Sequence, residues 1–254
     1  KVLKAIKIPQ LGLHILASLT PNDIDITVVD EEIREIDFSL DFDLVGISCM
    51  TATANRSYQL SDMYRQRGSK VVLGGIHPTI LPREAVQHAN AVVIGEAEGC
   101  WADVINDFRK GKLQKFYHVP EPDLSKVPFP RRDFHIDKAL FNCVGLLTTR
   151  GCSYACEFCS VTDFYGREIR HRPVSMVVED IKQSGSRTFL ILDDNVTGHP
   201  EYSKTLFEAL IPLGIRWVGQ SSISLAKDKE MLKLCRLSGC AALFFGLESV
   251  SPSS

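Results

Sequence analysis

The sequence predicts an α/β protein in which a doubly wound, Rossmann-like domain precedes part of a β/α barrel. Short apolar stretches alternate with helical segments along most of the chain, and many of these stretches end at glycine or polar residues. A proline-rich segment separates two such arrays. With 254 residues, of which 44% are hydrophobic and 24% charged, the chain can form two buried cores.

The first array, residues 1–118, is predicted to be a doubly wound sheet that lacks its first strand. An amphipathic segment at 11–19 opens it, and predicted strands follow at 24–29, 44–48, 70–73 and 91–94. Predicted helices lie at 56–67, 84–88 and 100–109. This alternation implies parallel strands, and ligands of such sheets bind beyond the carboxyl ends of the strands.

Residues 119–142 are predicted to form an extended linker, because they include Pro120, Pro122, Pro128 and Pro130 and show little periodicity. The second array, residues 143–254, is predicted to be a barrel truncated at its C-terminus. Its predicted strands are 144–149, 188–192, 215–219 and 241–247, and its helices are 176–182, 202–210 and 229–237. The chain begins at Lys1 and ends after a strand, so we expect it to be a piece of a longer protein.

Charge and hydropathy favour a cytoplasmic protein. The net charge is -2 and the pI is near 6.4, which gives no overall signal for nucleic acid or for an anionic membrane. No apolar run is long enough to span a bilayer, and no leader segment is recognisable. We therefore expect no nucleic-acid partner and no membrane span.

The cysteines indicate a metal centre. Eight are present, and Cys152, Cys156 and Cys159 fall within eight residues of one another in the segment TTRGCSYACEFCSV. This spacing lets one loop present three thiolates to an iron-sulfur cluster and leaves one iron without a protein ligand. The alternative is a zinc site with His135 or His171 as the fourth ligand.

A CxxxCxxC motif at the end of a predicted barrel strand, with Phe158 before its last cysteine, resembles the signature of the radical S-adenosylmethionine (SAM) superfamily. The resemblance implies that the three cysteines bind a [4Fe-4S] cluster that cleaves SAM reductively to a 5′-deoxyadenosyl radical. It also implies SAM contacts at later strand ends, where Asp193 or Asp194 would meet the ammonium group. The implied SAM contacts are Phe158, Asp193, Asp194, Asn195, Gln220, Ser222 and Glu248. Helix capping or turn formation would also explain these polar residues.

The N-terminal half resembles the cobalamin-binding domain of one radical SAM branch, which includes anaerobic magnesium-protoporphyrin cyclase and hopanoid C-methylases. The matching segments are VGISCMTAT, VVLGGIHPT and VVIGEAEG. They imply cobalamin contacts at Ser48, Thr51, Gly74, Gly75, His77, Pro78, Gly95, Glu96 and Glu98. The DxHxxG motif is missing, and His77, followed by proline, is expected to be a loop residue rather than a cobalt ligand. A domain that has kept the fold and lost the cofactor is the alternative.

The resemblance favours a cobalamin-dependent C-methyltransferase of a small-molecule metabolite. In this hypothesis SAM methylates cob(I)alamin, a second SAM yields the radical, and the substrate radical takes the methyl group. A flavodoxin or ferredoxin would supply electrons. The alternatives are a radical SAM oxidoreductase or cyclase that does not use methylcobalamin, and a non-catalytic iron-sulfur or corrinoid carrier.

Four basic residues follow the cluster loop: Arg167, Arg170, His171 and Arg172. They would contact an anionic substrate or a carboxylate of SAM, or they would pair with Glu168 and Glu179.

Overall fold

The computed structural model describes residues 10–31, 34–118, 120–133, 143–154 and 156–249. The chain divides into two compact units near residue 136. The first unit spans Gly12–Ile136, and the second holds the described residues from 143 onward. Among the described residues, no helix is both long enough and apolar enough to cross a membrane.

The first unit contains a four-stranded parallel sheet in the order β1-β2-β3-β4. Its strands are β1 (Leu44–Ser48), β2 (Lys70–Gly74), β3 (Ala91–Ile94) and β4 (Phe116–His118). The helices are α1 (Leu11–Leu19), α2 (Ala54–Gln66), α3 (Ile76–Ile80), α4 (Pro82–His88) and α5 (Trp101–Arg109). Short 3-10 turns follow β1 and β3 at Thr51–Thr53 and Ala97–Gly99.

Both faces of this first sheet are buried, as a doubly wound fold requires. Val72 and Val93 belong to one apolar cluster together with Trp101 of α5. Their neighbours along the strands, Leu73 and Val92, belong to a second cluster with residues of α2 and α4. Because successive side chains of a strand point to opposite faces, this alternation covers the sheet on both sides.

The second unit contains a four-stranded parallel sheet in the order β10-β9-β8-β5. Its strands are β5 (Val144–Leu146), β8 (Thr188–Ile191), β9 (Arg216–Gln220) and β10 (Cys240–Phe244). A separate antiparallel pair joins β6 (Thr149–Arg150) to β7 (Arg170–His171). The helices are α6 (Ser160–Tyr165), α7 (Val174–Ser184), α8 (Pro200–Leu210) and α9 (Lys229–Leu237).

The core of the second unit lies between this sheet and the helices that follow its strands. Trp217 of β9 is fully buried and stacks on Phe207 of α8 with ring centroids 5.1 Å apart. Its indole nitrogen donates to the hydroxyl of Ser238 at 3.2 Å. Phe189 and Leu206 are also fully buried in this cluster. The repeated βα order therefore produces the predicted parallel array.

One predicted strand is wrong. Residues 24–29 are assigned to no strand, although Ile24, Ile26 and Val28 are half-buried and alternate with exposed Asp25 and Thr27. Alternation of this kind also suits an extended segment that packs one side on the protein without pairing its backbone in a sheet. The predicted linker, 119–142, contains no helix or strand within 120–133. Its other residues, 119 and 134–142, lie outside the described residues.

Candidate functional site

The three motif cysteines lie in the loop between β6 and β7. Thr149 pairs with His171 and Arg150 with Arg170, so the antiparallel ladder closes residues 151–169 at their base. The three thiols are free; Cys152 and Cys159 are half-buried, and Cys156 is exposed. The N–H of Cys159 donates to the carbonyl of Cys156 at 3.1 Å, and α6 begins at the next residue. One short segment therefore carries all three thiols.

The thiols lie near enough to one another for their charges to interact. Burial raises the pKa of Cys152, the backbone N–H of Tyr154 lowers it, and negative charge on Asp194, Cys159 and Cys156 raises it further. Three thiolates in one loop therefore require a positively charged partner, which an iron-sulfur cluster supplies. Among the described residues, no three His, Cys, Asp or Glu side chains are placed to hold a single metal ion.

Glycine is required where the cluster loop begins. Gly151 has a φ of +91°, and a Cβ at this position would lie 2.6 Å from the carbonyl oxygen of Glu168. Real Cβ atoms do not approach backbone oxygen this closely, so the two sides of the loop pack against each other at the glycine. The residue directly before Cys152 must therefore be glycine for the two sides of the loop to pack this closely.

Asp193, directly after Leu192 at the end of β8, is buried with 1% of its surface exposed. Its Oδ1 accepts the backbone N–H of Thr148 at 2.8 Å, and its Oδ2 accepts the hydroxyls of Thr149, at 2.8 Å, and of Thr148. Burial raises the pKa of Asp193 to about 6, although these hydrogen bonds act in the opposite direction.

Asp194 has a different environment. It is half-buried, and its Oδ2 accepts the N–H of Gly151 at 3.3 Å. Burial raises the pKa of Asp194, while the positive charge of Arg150 lowers it. Its charge also raises the pKa of Cys152, which places this carboxylate beside the cysteine loop.

Asn195 joins the ends of β8 and β9. Its Oδ1 accepts the backbone N–H of Thr197 at 3.3 Å, as in an Asx turn, and that of Ser222 at 3.4 Å. The side chain is buried, with 4% exposed. Its Nδ2 group has no hydrogen-bond acceptor among the described residues. The turn role is therefore present, and a buried donor remains available for a ligand.

The other predicted SAM contacts differ in exposure. Ser222 is half-buried and its N–H donates to Asn195, while Gln220 is exposed at the end of β9. Glu248 is exposed and has a φ of +39°. Phe158 is 71% exposed within the cysteine loop. The structure thus brings Asn195 and Ser222 together and leaves the other three side chains on the surface of the second unit.

A tyrosine near the thiols was missed by the sequence reasoning, as was its partner. Tyr154, between the first two cysteines, donates its hydroxyl to Ser224 in the loop after β9 at 3.0 Å. The hydroxyls of Ser224 and Ser222 lower the pKa of Tyr154, because they can donate hydrogen bonds to the ionised phenolate. The only sequence signal is an aromatic residue inside the motif, which predicts no particular partner.

The basic residues after the loop have separate environments. Arg172 is 1% exposed, and its guanidinium lies 3.7 Å from the carboxylate of Asp180, a partner that was not predicted. The sequence could not reveal this pair because it forms inside the core. His171 is exposed and stacks on Tyr202, whereas Arg167 is exposed in the loop.

In the first unit, the ends of β1, β2 and β3 are joined by hydrogen bonds. The N–H of Cys49 donates to the carbonyl of Gly74 at 2.8 Å. The hydroxyl of Thr79 donates to the carbonyl of Gly75 at 2.8 Å and accepts the N–H of Gly95 at 2.9 Å. Thr79 was not predicted as a site residue, but its contacts join Gly75, after β2, to Gly95, after β3.

His77 is not a loop residue, although the proline that follows it predicts one. It lies in α3, which can include Pro78 because proline is tolerated in the first turn of a helix. The side chain of His77 is buried, with 6% exposed. Its Nε2 lies 3.0 Å from the hydroxyl of Tyr58 and 3.3 Å from Glu84, and its Nδ1 lies 3.3 Å from Thr51. Both ring nitrogens thus have protein partners.

The remaining predicted cobalamin contacts lie at the same strand ends. Ser48 and Thr51 are exposed after β1, and Pro78 is buried beside His77 in α3. Glu96 is buried and Glu98 is half-buried after β3. The carboxyl edge of the sheet therefore carries all nine residues named for cobalamin, on or beside the ends of β1 to β3.

Family models match both units. The B12 binding domain matches residues 6–105, and the radical SAM superfamily matches residues 146–253. The chain therefore belongs to the radical SAM superfamily. Within it, the chain belongs with the proteins in which a B12 binding domain precedes the radical SAM domain, as the resemblance predicted.

Similar proteins support this assignment. Bacteriochlorophyllide d C-12(1)-methyltransferase of Chlorobaculum tepidum is 30% identical, over 98% of this chain and 57% of its own length. Hopanoid C-2 methylase of Rhodopseudomonas palustris is 23% identical, over 97% of this chain and 50% of its own length. The chain thus spans about half the length of these relatives.

A solved structure confirms the fold. The radical SAM methyltransferase TsrM from Kitasatospora setae, determined with cobalamin and a [4Fe-4S] cluster bound, superposes with a TM-score of 0.78 at 17% identity. The match covers 97% of this chain and 57% of that chain. The predicted fold class, a doubly wound domain followed by a radical SAM domain, is confirmed.

Proposed function

We propose that this chain carries the cobalamin-binding and cluster-binding parts of a C-methyltransferase that cleaves SAM reductively and methylates a small-molecule metabolite. The observation that carries the proposal is the loop 151–169, which β6 and β7 close and which presents three free thiols. The B12 binding domain in the same chain and the methyltransferases among its relatives support methylation over other radical reactions.

The second unit would hold the cluster and SAM. Cys152, Cys156 and Cys159 would bind three irons of a [4Fe-4S] cluster, because they are the free thiols of the loop. Asp194 would accept hydrogen bonds from the SAM ammonium group, and the buried Nδ2 of Asn195 would donate to a SAM oxygen. When bound, the cluster supplies the electron that cleaves a carbon-sulfur bond of SAM, and cobalamin supplies the transferred methyl group.

The first unit would hold cobalamin at the carboxyl edge of its sheet. Gly74, Gly75 and Gly95 lie at the ends of β2 and β3, and Ser48 and Thr51 add exposed hydroxyls at the end of β1. We propose that this edge contacts the corrinoid. Flavodoxin or ferredoxin would be the electron donor.

The test uses the full-length protein, reconstituted with iron, sulfide and cobalamin in the absence of oxygen and then desalted. We expect about one cobalt and about four irons per chain, cleavage of SAM, and transfer of deuterated methyl groups from labelled SAM to the product. Cys152→Ala should lose iron and SAM cleavage, whereas Cys143→Ala, a free cysteine outside the loop, should keep both.

The outcomes separate the alternatives. Four irons and SAM cleavage without cobalt would replace the proposal with a cobalamin-independent oxidoreductase or cyclase. A cluster and cobalt without any SAM cleavage would replace it with a carrier of electrons or methyl groups. Zinc in place of iron would overturn the cluster assignment.

A further inference from the structure

We infer that Asp193 is a positioning residue that fixes the entrance of the cluster loop, whereas its neighbour Asp194 is the carboxylate that faces SAM. The inference rests on the proposed function, because it concerns the same loop. It assigns two adjacent carboxylates, which the sequence does not distinguish, to different tasks.

The contacts of Asp193 are all directed to the loop entrance. Both carboxylate oxygens accept hydrogen bonds from Thr148 or Thr149, including the backbone N–H of Thr148 at 2.8 Å. The residue is sealed from solvent, with 1% exposed. A carboxylate enclosed in this way has no surface for a ligand, and three of its roughly four acceptor sites are filled by these donors.

Thr148 is held from its other side as well. Its carbonyl accepts the N–H of Arg172 at 2.8 Å and the hydroxyl of Tyr202 at 3.3 Å. The same hydroxyl donates to the carbonyl of Arg172 at 2.8 Å. Thr148 precedes the cluster loop and Arg172 follows it, so the two ends of the loop are fixed to each other and, through Asp193, to β8.

This arrangement determines where Cys152 lies. We call the contacts among Asp193, Thr148 and Arg172 the clamp. Cys152 follows Thr148 by four residues, and the intervening β6 pairs with β7, which leaves little conformational freedom between the clamp and the thiol. A loop fixed before the metal binds loses less conformational entropy on binding, which favours retention of the cluster. Asp193 therefore acts on the cluster through the position of Cys152 and not by contact.

Asp194 lacks these features. It is half-buried, its carboxylate accepts the N–H of Gly151 at the long distance of 3.3 Å, and its charge acts on Cys152. A carboxylate that is partly open and close to the thiols is placed to meet a cation bound at the cluster. The charge of Asp194 should therefore be essential, whereas Asp193 should act mainly as a hydrogen-bond acceptor.

The two roles respond differently to asparagine, which keeps one carbonyl acceptor but has no charge. Reconstituted full-length protein is compared as wild type and as Asp193→Ala, Asp193→Asn, Asp194→Ala and Asp194→Asn. The readouts are the rate at which a chelator removes iron and the EPR spectrum of the reduced cluster with and without SAM. Circular dichroism verifies that each variant is folded.

For Asp193→Ala we expect iron to leave about tenfold faster or more, since the variant loses three buried hydrogen bonds and the loss of even one corresponds to about this factor. Asp193→Asn should recover most of the retention, because its Oδ1 still accepts the N–H of Thr148. Asp194→Asn, whose carbonyl can still accept the N–H of Gly151, should keep the cluster at the wild-type rate, and both Asp194 variants should lose the spectral change on addition of SAM. Asparagine should therefore restore iron retention at position 193 and should not restore the response to SAM at position 194.

The inference is overturned if Asp193→Ala releases iron at the wild-type rate, or if it keeps the cluster and loses the response to SAM. Hydrogen exchange of residues 148–152 in cluster-free protein gives a second measurement: the clamp requires faster exchange in Asp193→Ala and near wild-type exchange in Asp193→Asn. This result does not depend on methylation. A wild type that binds the cluster and makes no methylated product would therefore refute the proposed function and leave the clamp standing.

Discussion

Gly75 approaches Cys49 so closely that a Cβ on the glycine would lie 2.8 Å from the carbonyl oxygen of Cys49 and 3.0 Å from its nitrogen. The glycine has a φ of +98°, which residues with side chains rarely adopt. The same region carries the hydrogen bond from the N–H of Cys49 to the carbonyl of Gly74. The ends of β1 and β2 are therefore in direct backbone contact where cobalamin is proposed to bind.

Gly75→Ala should weaken cobalamin binding about tenfold or more and lower the free energy of unfolding by about 3 kcal/mol, because the backbone must move as well as bear the strain. Gly68→Ala is the matched control, since Gly68 has a φ of +97° and a Cβ there would meet no atom of the described chain within 4 Å. It should cost about 1–2 kcal/mol and leave binding unchanged. Equal losses in denaturant unfolding and in cobalamin titration would show that the close approach is unimportant.

Gly151→Ala should prevent normal loading of the cluster. The new methyl group would meet the carbonyl of Glu168, and relief of that contact would separate the two sides of the loop that β6 and β7 close. We expect iron bound per chain to fall by at least about half, as for other changes that displace a metal ligand's supporting structure. Gly185→Ala provides the control, because its φ is +63° and a Cβ there would have no neighbour within 4 Å in the described part of the chain.

The measurement for Gly151→Ala is iron and sulfide content after reconstitution, together with the visible absorption of the cluster. The control should match wild type in all three quantities. Full loading of Gly151→Ala would mean that the loop accommodates the clash without moving the cysteines.

Much of the fold could be predicted because the pattern is local. Apolar strands that end in glycine or polar residues identified β1, β2, β3 and β8, and Lys229–Leu237 was predicted with its observed bounds. β4 was missed because it has three residues of which only Tyr117 is buried, too few to show a period. The β6 and β7 pair is shorter still, and it depends on residues about twenty positions apart.

The site could be predicted only in part. The spacing of Cys152, Cys156 and Cys159 is a signal within one segment, so it indicated the metal centre directly. The different environments of Asp193 and Asp194 depend on which of the two side chains points to the loop entrance, a long-range contact that no local pattern encodes. The same holds for the buried histidine of α3, whose partners come from α2 and α4.

Tyr58→Phe should destabilise the first unit by about 1–2 kcal/mol, because the lost hydroxyl bridges His77 and Glu84 and leaves a buried imidazole nitrogen without one partner. The ring itself stays, so its stacking on His88 at 4.2 Å is retained. Tyr64→Phe is the control: Tyr64 is equally buried, and its hydroxyl forms no comparable bridge within the described part of the chain. Denaturant unfolding measures both; equal stability of the two variants would contradict a role for the bridge.

Asp193 should make the stability of the second unit depend on pH. Burial raises its pKa from 3.8 to about 6, so the folded state binds this proton more tightly than the unfolded state does. Its contribution to stability is fully present below the unfolded pKa and is lost as the pH rises through about 6. Asp193→Asn cannot titrate at this position, so wild type should lose about 3 kcal/mol relative to it between about pH 4 and about pH 7.

The measurement is native-state hydrogen exchange of cluster-free protein, read at the backbone of β9 around Trp217 in the core of the second unit. The free energies of wild type and Asp193→Asn are compared at each pH. A difference that stays constant would mean that the hydrogen bonds from Thr148 and Thr149 offset the cost of burying the charge. A difference of the opposite sign would mean that they exceed it, and that the loop entrance holds Asp193 ionised even in acid.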